Sequence, residues 1–372
     1  MIILFGIKNG EGVKMADLHI KNVSLKKGRE HVLKNVSLSI NNGEIVSILA
    51  TQKYELEILK NVVMGFQKIK FGKMFLGKED ITYFNSKKKA KLFEYISSDL
   101  KVKNQRSVKK ALQKEIKKRI KDKPQQIKKF EIIIEAFKLD DILEKSIKKL
   151  NIGELILVKL ALAIAKNAQV IVLEEIFDKI PERYKVLLRR GILKLKREDE
   201  LTLLILTRNV KEAINFSDKI AIFNNSIIEQ YGDTKEVYLK PESAAVGAML
   251  GKINVVKGKK EDEHSYSLPI LDKNATQIMI EYSKKDSADI YFSIRPENVH
   301  VVVDETDFVF PGIRMHGIID ELIFEGSLMT GTINFVRGSL DFCQIYNPTN
   351  DVFKIGNEVE VIINPDLILP LK

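Results

Sequence analysis

Four short runs are apolar almost throughout: Ile45–Leu49, Gln169–Leu173, Leu201–Leu206 and Lys219–Phe223. A run of that kind fits a strand covered on both faces, which is the condition of a parallel sheet flanked by helices. The intervening segments have helical spacing. Leu56, Leu59, Val62 and Val63 mark a helix over Leu56–Met64, with Gly65 placed to end it. Residues 152–167 form a long apolar helical pattern and 181–198 a polar one. The middle, roughly 104–150, is helical as well, with Ile116, Ile120, Ile127, Phe130, Ile134 and Phe137 as the expected buried stripe. Buried strands alternating with helices predict an α/β domain. Ahead of it, residues 17–26 and Val36–Ile40 alternate as half-buried strands, and Asn224-Asn225-Ser226 suits a hairpin turn.

Past residue 250 the pattern changes to short alternating segments: Ala275–Glu281, Asp289–Ile294, Val299–Val303, Gly317–Leu322, Gly331–Val336 and Glu358–Ile363. These predict a small all-β barrel or sandwich. Gly and Lys accumulate over Gly251–Lys260, which places a boundary there and gives domains of 15–250 and 251–372. The chain's 372 residues, 45% of them hydrophobic, suffice for two cores.

The net charge is +11, and thirteen Lys and Arg between Lys101 and Lys129 meet only Glu115 and Asp122. Such a field attracts phosphates of nucleic acid or of lipid, but a solvated helix face is the plainer reading. Interleaved aromatics for base stacking are missing, so nucleic acid is not an expected partner. Cys343 stands alone, which rules out an intrachain disulfide and fits a packed thiol in a reducing compartment. The five histidines, His19, His31, His264, His300 and His316, share no metal-ligand spacing, and no metal site is expected. No stretch is long and apolar enough to span a bilayer. Met1–Gly6 lacks the basic start and cleavage site of a secretion signal, and the recognisable pattern begins near Met15.

Several segments fall in order along the chain: Val32–Glu44, Phe71–Ile81, Phe216–Ile222, Glu229–Tyr238 with Pro241, and Ser293-Ile294-Arg295-Pro296-Glu297. Together they resemble the ATP-binding subunits of ABC importers of the sugar and polyamine type. The resemblance implies a P-loop NTPase-like ABC ATPase domain over 15–250, with a helical subdomain at about 98–155. It also implies a C-terminal OB-like accessory β domain (TOBE-type) over 251–372. Arg295-Pro296-Glu297, the hallmark of that accessory domain, is expected to fix a turn and an ion pair.

Such subunits bind triphosphate on a glycine-rich loop whose N–H groups face the phosphates, with a lysine on the outer phosphates and a hydroxyl on Mg²⁺. The corresponding segment here is Ala50-Thr51-Gln52-Lys53-Tyr54-Glu55-Leu56-Glu57-Ile58, which contains no glycine. Leu56 stands at the lysine position and Glu57 at the hydroxyl position. By the same resemblance Lys27 replaces the adenine-stacking aromatic and Ser98 the glutamine that links magnesium to the membrane partner. Asn151-Ile152-Gly153-Glu154 replaces the signature that grips the γ-phosphate from the opposite subunit. Glu174-Glu175 follows the strand where Asp-Glu is expected, so Glu175 keeps the general-base position. Arg208 replaces the switch histidine and Pro181 the aspartate of the dimer-contact loop.

The resemblance therefore implies a cytoplasmic protein at the inner face of the cell membrane, partnered by permease subunits and by another ATPase subunit or a second copy. The residues point to a pseudo-ATPase without a bound cofactor. Two alternatives stay open: a divergent Mg-ATP hydrolase with Glu175 as base, or a regulatory protein that senses a ligand with its β domain.

Overall fold

The computed structural model describes residues 17–99, 106–197, 201–262, 265–270, 278–279, 289–303, 312–348 and 352–371. The chain forms two compact units, Met1–Val237 and Tyr238–Lys372.

In the first unit the apolar runs become the centre of a six-stranded sheet. Its order is Ile227–Asp233, Lys219–Asn224, Ile45–Ala50, Leu203–Thr207, Val170–Glu174 and Phe93–Ser97. All neighbours are parallel except the first pair, the hairpin expected at Asn224–Ser226. Every residue of Ile45–Ala50 is buried, as a strand in the middle of such a sheet must be. The first strands of the chain, Leu18–Lys27 and Glu30–Ile40, join Phe71–Leu76 and Glu79–Asp80 in a separate antiparallel sheet. The edge strand Phe93–Ser97 carries no long apolar run, and sequence periodicity does not reveal it.

The helices Val108–Arg119, Lys123–Phe137 and Ile152–Ala165 share a core in which Ile116, Ile134 and Phe137 are buried. Ile127 departs from the expected buried stripe and is 59% exposed. Gly191 permits the close approach of two helices, since a Cβ there would lie 2.3 Å from the ring of Phe137. Among the described residues no helix is long and apolar enough to cross a membrane.

The second unit holds two antiparallel five-stranded sheets and fits an OB-like domain. Asn254–Lys260, within the stretch where the boundary is expected, is one of its strands. Its burial alternates, with Asn254, Val256 and Gly258 inward and the lysines outward, and a Cβ on Gly258 would lie 2.3 Å from Phe292. Within the compact unit that begins at Tyr238, Arg295 gathers the segment ahead of this strand. Only 3% exposed, its guanidinium donates to the carbonyls of Gly247 (3.1 Å), Gly251 (3.5 Å), Lys252 (3.0 Å) and Tyr238 (2.9 Å). It also lies 4.2 Å from the centre of the Tyr238 ring. The expected ion pair is thus a set of carbonyl contacts, while Glu297 accepts from the Tyr238 hydroxyl at 2.6 Å.

Candidate nucleotide-binding site

In open α/β sheets ligands sit beyond the carboxyl ends of the strands. Here Ile45–Ala50 ends in Thr51 and Gln52, and the helix Lys53–Val63 begins at once. A helix start of this kind presents unpaired N–H groups and favours an anion. The anion is supplied from within. Glu55, 3% exposed, turns its carboxylate back to accept the Gln52 N–H at 3.2 Å. Burial pushes its pKa above the ordinary carboxylate value, and the N–H groups of Gln52, Asn225, Thr51 and Ser226 offset part of that. Asn225 and Ser226 have φ of 49° and 70°, a left-handed turn that aims successive N–H groups inward. Leu56 is fully buried in the core, whereas Thr51, Gln52, Lys53, Tyr54 and Glu57 are exposed and Ile58 is half-buried. The N–H groups of Thr51 and Gln52, just ahead of the helix, and those of Asn225 and Ser226 are thus turned toward a carboxylate of the chain itself.

The neighbouring strand ends are closed in the same way. Glu174, where the resemblance leads one to expect aspartate, accepts from the Tyr95 hydroxyl and lies 3.8 Å from Lys60 Nζ. Burial, and then the bond to Glu174, raise the Tyr95 pKa far above the phenol range. Glu175 adopts φ 44°, a left-handed conformation uncommon outside glycine, with its N–H on Leu206 O at 3.0 Å. Its carboxylate is paired with Arg208 Nε, and that bond raises the arginine's pKa further. The structure therefore joins Glu175 and Arg208, the residues singled out at these two strand ends, in an ion pair. Beside them Asn209 Nδ2 donates to Asp178 at 2.8 Å, and Thr207 Oγ1 donates to buried Glu212 at 2.8 Å. Burial pushes the Glu212 carboxyl up to about 7. Ser98 follows the edge strand, and its hydroxyl bonds Asp99, which is paired with Lys179 and also feels Lys53.

The signature position is the start of Ile152–Ala165, and it repeats the device seen at Glu55. Asn151 Oδ1 accepts the Glu154 N–H at 3.0 Å, and Glu154 Oε2 accepts the Asn151 N–H at 3.1 Å. This is a reciprocal capping box. Burial alone would raise the Glu154 pKa, but Lys145 at 2.9 Å and the Asn151 N–H outweigh it and hold the value below the ordinary range. Ile152 is half-buried. Gly153 makes room for a ring, since a Cβ there would lie 2.1 Å from Tyr184, whose hydroxyl accepts from Asn151 at 2.8 Å. Gly153→Ala is expected to cost about 1–3 kcal/mol through overpacking. In urea melts that loss should shrink when Tyr184 is also reduced to alanine; an undiminished loss would detach the glycine from the ring.

Lys60, Tyr95, Asp178 and Glu212 escaped sequence reading because their partners lie far along the chain and none belongs to a motif. The glutamates three residues after Gln52 and Asn151 did carry a legible signal, the capping-box spacing. Among the described residues no cluster of three potential metal ligands occurs, and His264 lies outside them.

The sequence is 24% identical to the spermidine/putrescine import ATP-binding protein PotA of Legionella pneumophila over 341 residues, 87% of this chain and 88% of that protein. The chain is a homologue of ABC import ATP-binding subunits. The protein of the same description from Thermotoga maritima is 25% identical over 378 residues, covering 94% of this chain and 96% of its own length. The Fe(3+) ions import ATP-binding protein FbpC of Fusobacterium nucleatum is 23% identical over 318 residues, 83% of this chain and 81% of its own. No family model matches. Among solved structures, cbiO1 of Clostridium perfringens, part of the ABC transporter complex cbiONQ, superposes with a TM-score of 0.53 at 16% identity. It covers 59% of this chain and 90% of that one. The ADP conformation of an ATP-binding cassette of an ABC transporter gives 0.52 at 20% identity, over 63% and 99%. The fold of the first unit is that of an ABC ATPase domain.

Proposed function

We propose that this homologue of importer subunits is a non-hydrolytic member of a solute import assembly, keeping the fold while its own side chains fill the nucleotide site. One observation carries this reading: the buried Glu55 carboxylate occupies the helix start on which a triphosphate would rest. A unit negative charge about 4 Å from another is opposed by about 4 kcal/mol at an effective dielectric near 20, and each phosphate charge adds to that. The ion pair of Glu175 with Arg208, and the capture of Glu174 by Tyr95 and Lys60, support the same reading from the neighbouring strands.

In this reading the protein sits at the inner face of the cell membrane against permease subunits, paired with an ATPase subunit or a second copy. Each ATP between two such subunits needs a loop from one and a signature from the other. This chain weakens both, and every contact missing from a transferring phosphoryl group lowers the rate by orders of magnitude. The relatives named above handle polyamines and Fe(3+), so no single solute carries over.

Thermal melts with millimolar Mg-ATP test the reading. A ligand at one hundred times its Kd would stabilise the fold by about 2.7 kcal/mol, a shift of several degrees in Tm. The expected result is no saturable shift and no phosphate release. A saturable shift, with turnover that Glu175→Gln abolishes, would establish an active ATPase instead.

A further inference from the structure

Two loops leave the carboxyl end of the first unit's sheet side by side, residues 175–181 after Val170–Glu174 and residues 208–209 after Leu203–Thr207. Side chains tie them together. Glu175 pairs with Arg208, Asn209 Nδ2 donates to Asp178 at 2.8 Å, and the rings of Phe177 and Phe216 lie 4.2 Å apart. Glu212 adds a link of a different kind. It lies in the first turn of the helix Val210–Phe216, is 6% exposed, and donates its own N–H to Asn209 Oδ1 at 3.1 Å. One of its carboxyl oxygens, Oε2, accepts from the Thr207 hydroxyl at 2.8 Å. The other, Oε1, is buried, and no donor among the described residues reaches it. A buried carboxylate oxygen left bare is costly. What faces it is a second carboxyl group, that of Asp178. Ionised carboxylates only accept, so the two can bond only while one of them carries a proton. Glu212 is buried and Asp178 is exposed, which puts that proton on Glu212.

The cations nearby are turned elsewhere. Helix Glu182–Arg197 brings Lys185, which pairs with Glu182 at 3.4 Å, and Arg189, which lies over the ring of Phe216. Arg208 faces Glu175 and Asp178. Lys211, the next residue in the helix itself, is exposed, and adjacent residues of a helix do not face each other. Ile45–Ala50, the other strand packed against this helix, has no titratable side chain.

We propose that Glu212 and Asp178 form a proton-operated latch between these loops. Protonated, Glu212 donates from Oε1 to Asp178 and fastens residues 175–181 to the start of the helix Val210–Phe216. When that proton leaves to solvent, two carboxylates face each other and the loop loosens. Burial first, and the Asp178 charge with it, push the Glu212 carboxyl up to about 7 against the pull of Thr207 and Lys185. The latch is therefore fastened below about pH 7 and loose above it. Between 4.5 and about 7 the folded chain keeps a proton that the unfolded chain has released, so stability falls as the pH rises through that window. The latch needs no nucleotide, and the melts with Mg-ATP do not bear on it.

Hydrogen exchange of the full chain at about pH 6 and about pH 8, followed by mass spectrometry and corrected for the intrinsic rate, tests this. Peptides spanning 174–181 and 207–214 should lose protection about ten-fold at the higher pH, the equivalent of one pKa unit, while Ile45–Ala50 is unchanged. Glu212→Gln, whose amide donates at either pH, should keep the protection of the acid form at both. Asp178→Asn, at an exposed position, gives Glu212 a donor in place of a second charge and should remove the pH dependence as well. The proposal is overturned if the native chain protects both peptides equally at the two pH values, or if either variant retains the native pH dependence. It is equally overturned if Ile45–Ala50 loses as much protection as the loops, since the change would then be global.

Discussion

Replacing Arg295 with methionine is expected to cost the C-terminal unit about 3–5 kcal/mol, the largest effect foreseen for any single substitution described here. Four carbonyls, of Tyr238, Gly247, Gly251 and Lys252, converge on this one guanidinium. Methionine fills comparable volume but donates nothing, so buried acceptors lose their partner, at about 1–3 kcal/mol for each one that water cannot reach. The Tyr238 ring, 4.2 Å from the guanidinium, also loses a cation. Lysine is not a conservative replacement, because a single ammonium cannot span a fork that serves four acceptors. Hydrogen exchange gives the sharpest readout: amides of the helix Ala244–Met249 should lose protection in Arg295→Met before the strands do. If protection there is unchanged, the carbonyl contacts do not hold the segment.

Lys89→Met is expected to act in the opposite direction and stabilise the first unit by about 2 kcal/mol at pH 7. Lys89 is 1% exposed, and among the described residues its Nζ reaches only Val62 O at 3.0 Å and the sulfur of Met74 at 3.6 Å. Burial without an acidic partner lowers its pKa from 10.5 to about 8. Between those values the unfolded chain binds the proton and the folded chain does not, so stability rises with pH across that window. Below about pH 8 the penalty is fully present, about 3 kcal/mol from the size of the shift, and it vanishes above about 10.5. Methionine removes the cation and gives up one hydrogen bond, but Val62 O keeps the Gly65 N–H at 3.2 Å. Denaturant melts at pH 7 and pH 10.5 should therefore show an advantage that disappears at the higher pH. An advantage equal at both would mean that charge is not its source.

The sheet of the first unit was legible because its inner strands are apolar on both faces, a pattern solvent-exposed loops do not produce. Asn254–Lys260 was not. Its lysines and glycine resemble a linker in composition, and only the burial of alternate residues shows a strand whose Gly258 exists for Phe292. Ile127 misled for a related reason, since helical spacing identifies an apolar stripe without telling whether anything covers it. At the candidate site, the absence of glycine from 50–58 and the run Asn151-Ile152-Gly153-Glu154 stand in the sequence itself. The salt bridge between Glu175 and Arg208 joins positions whose neighbourhood follows from strand order alone, because Val170–Glu174 and Leu203–Thr207 run parallel side by side. Lys60 and Tyr95 meet Glu174 across three elements, and single-sequence reasoning offers no route to such a triad.

The full burial of Leu56 restricts what can replace it. A lysine introduced there would enter the core uncompensated, and a glycine introduced upstream would leave Glu55 where it is. On the proposed reading, a phosphate site would therefore need several residues changed together rather than one.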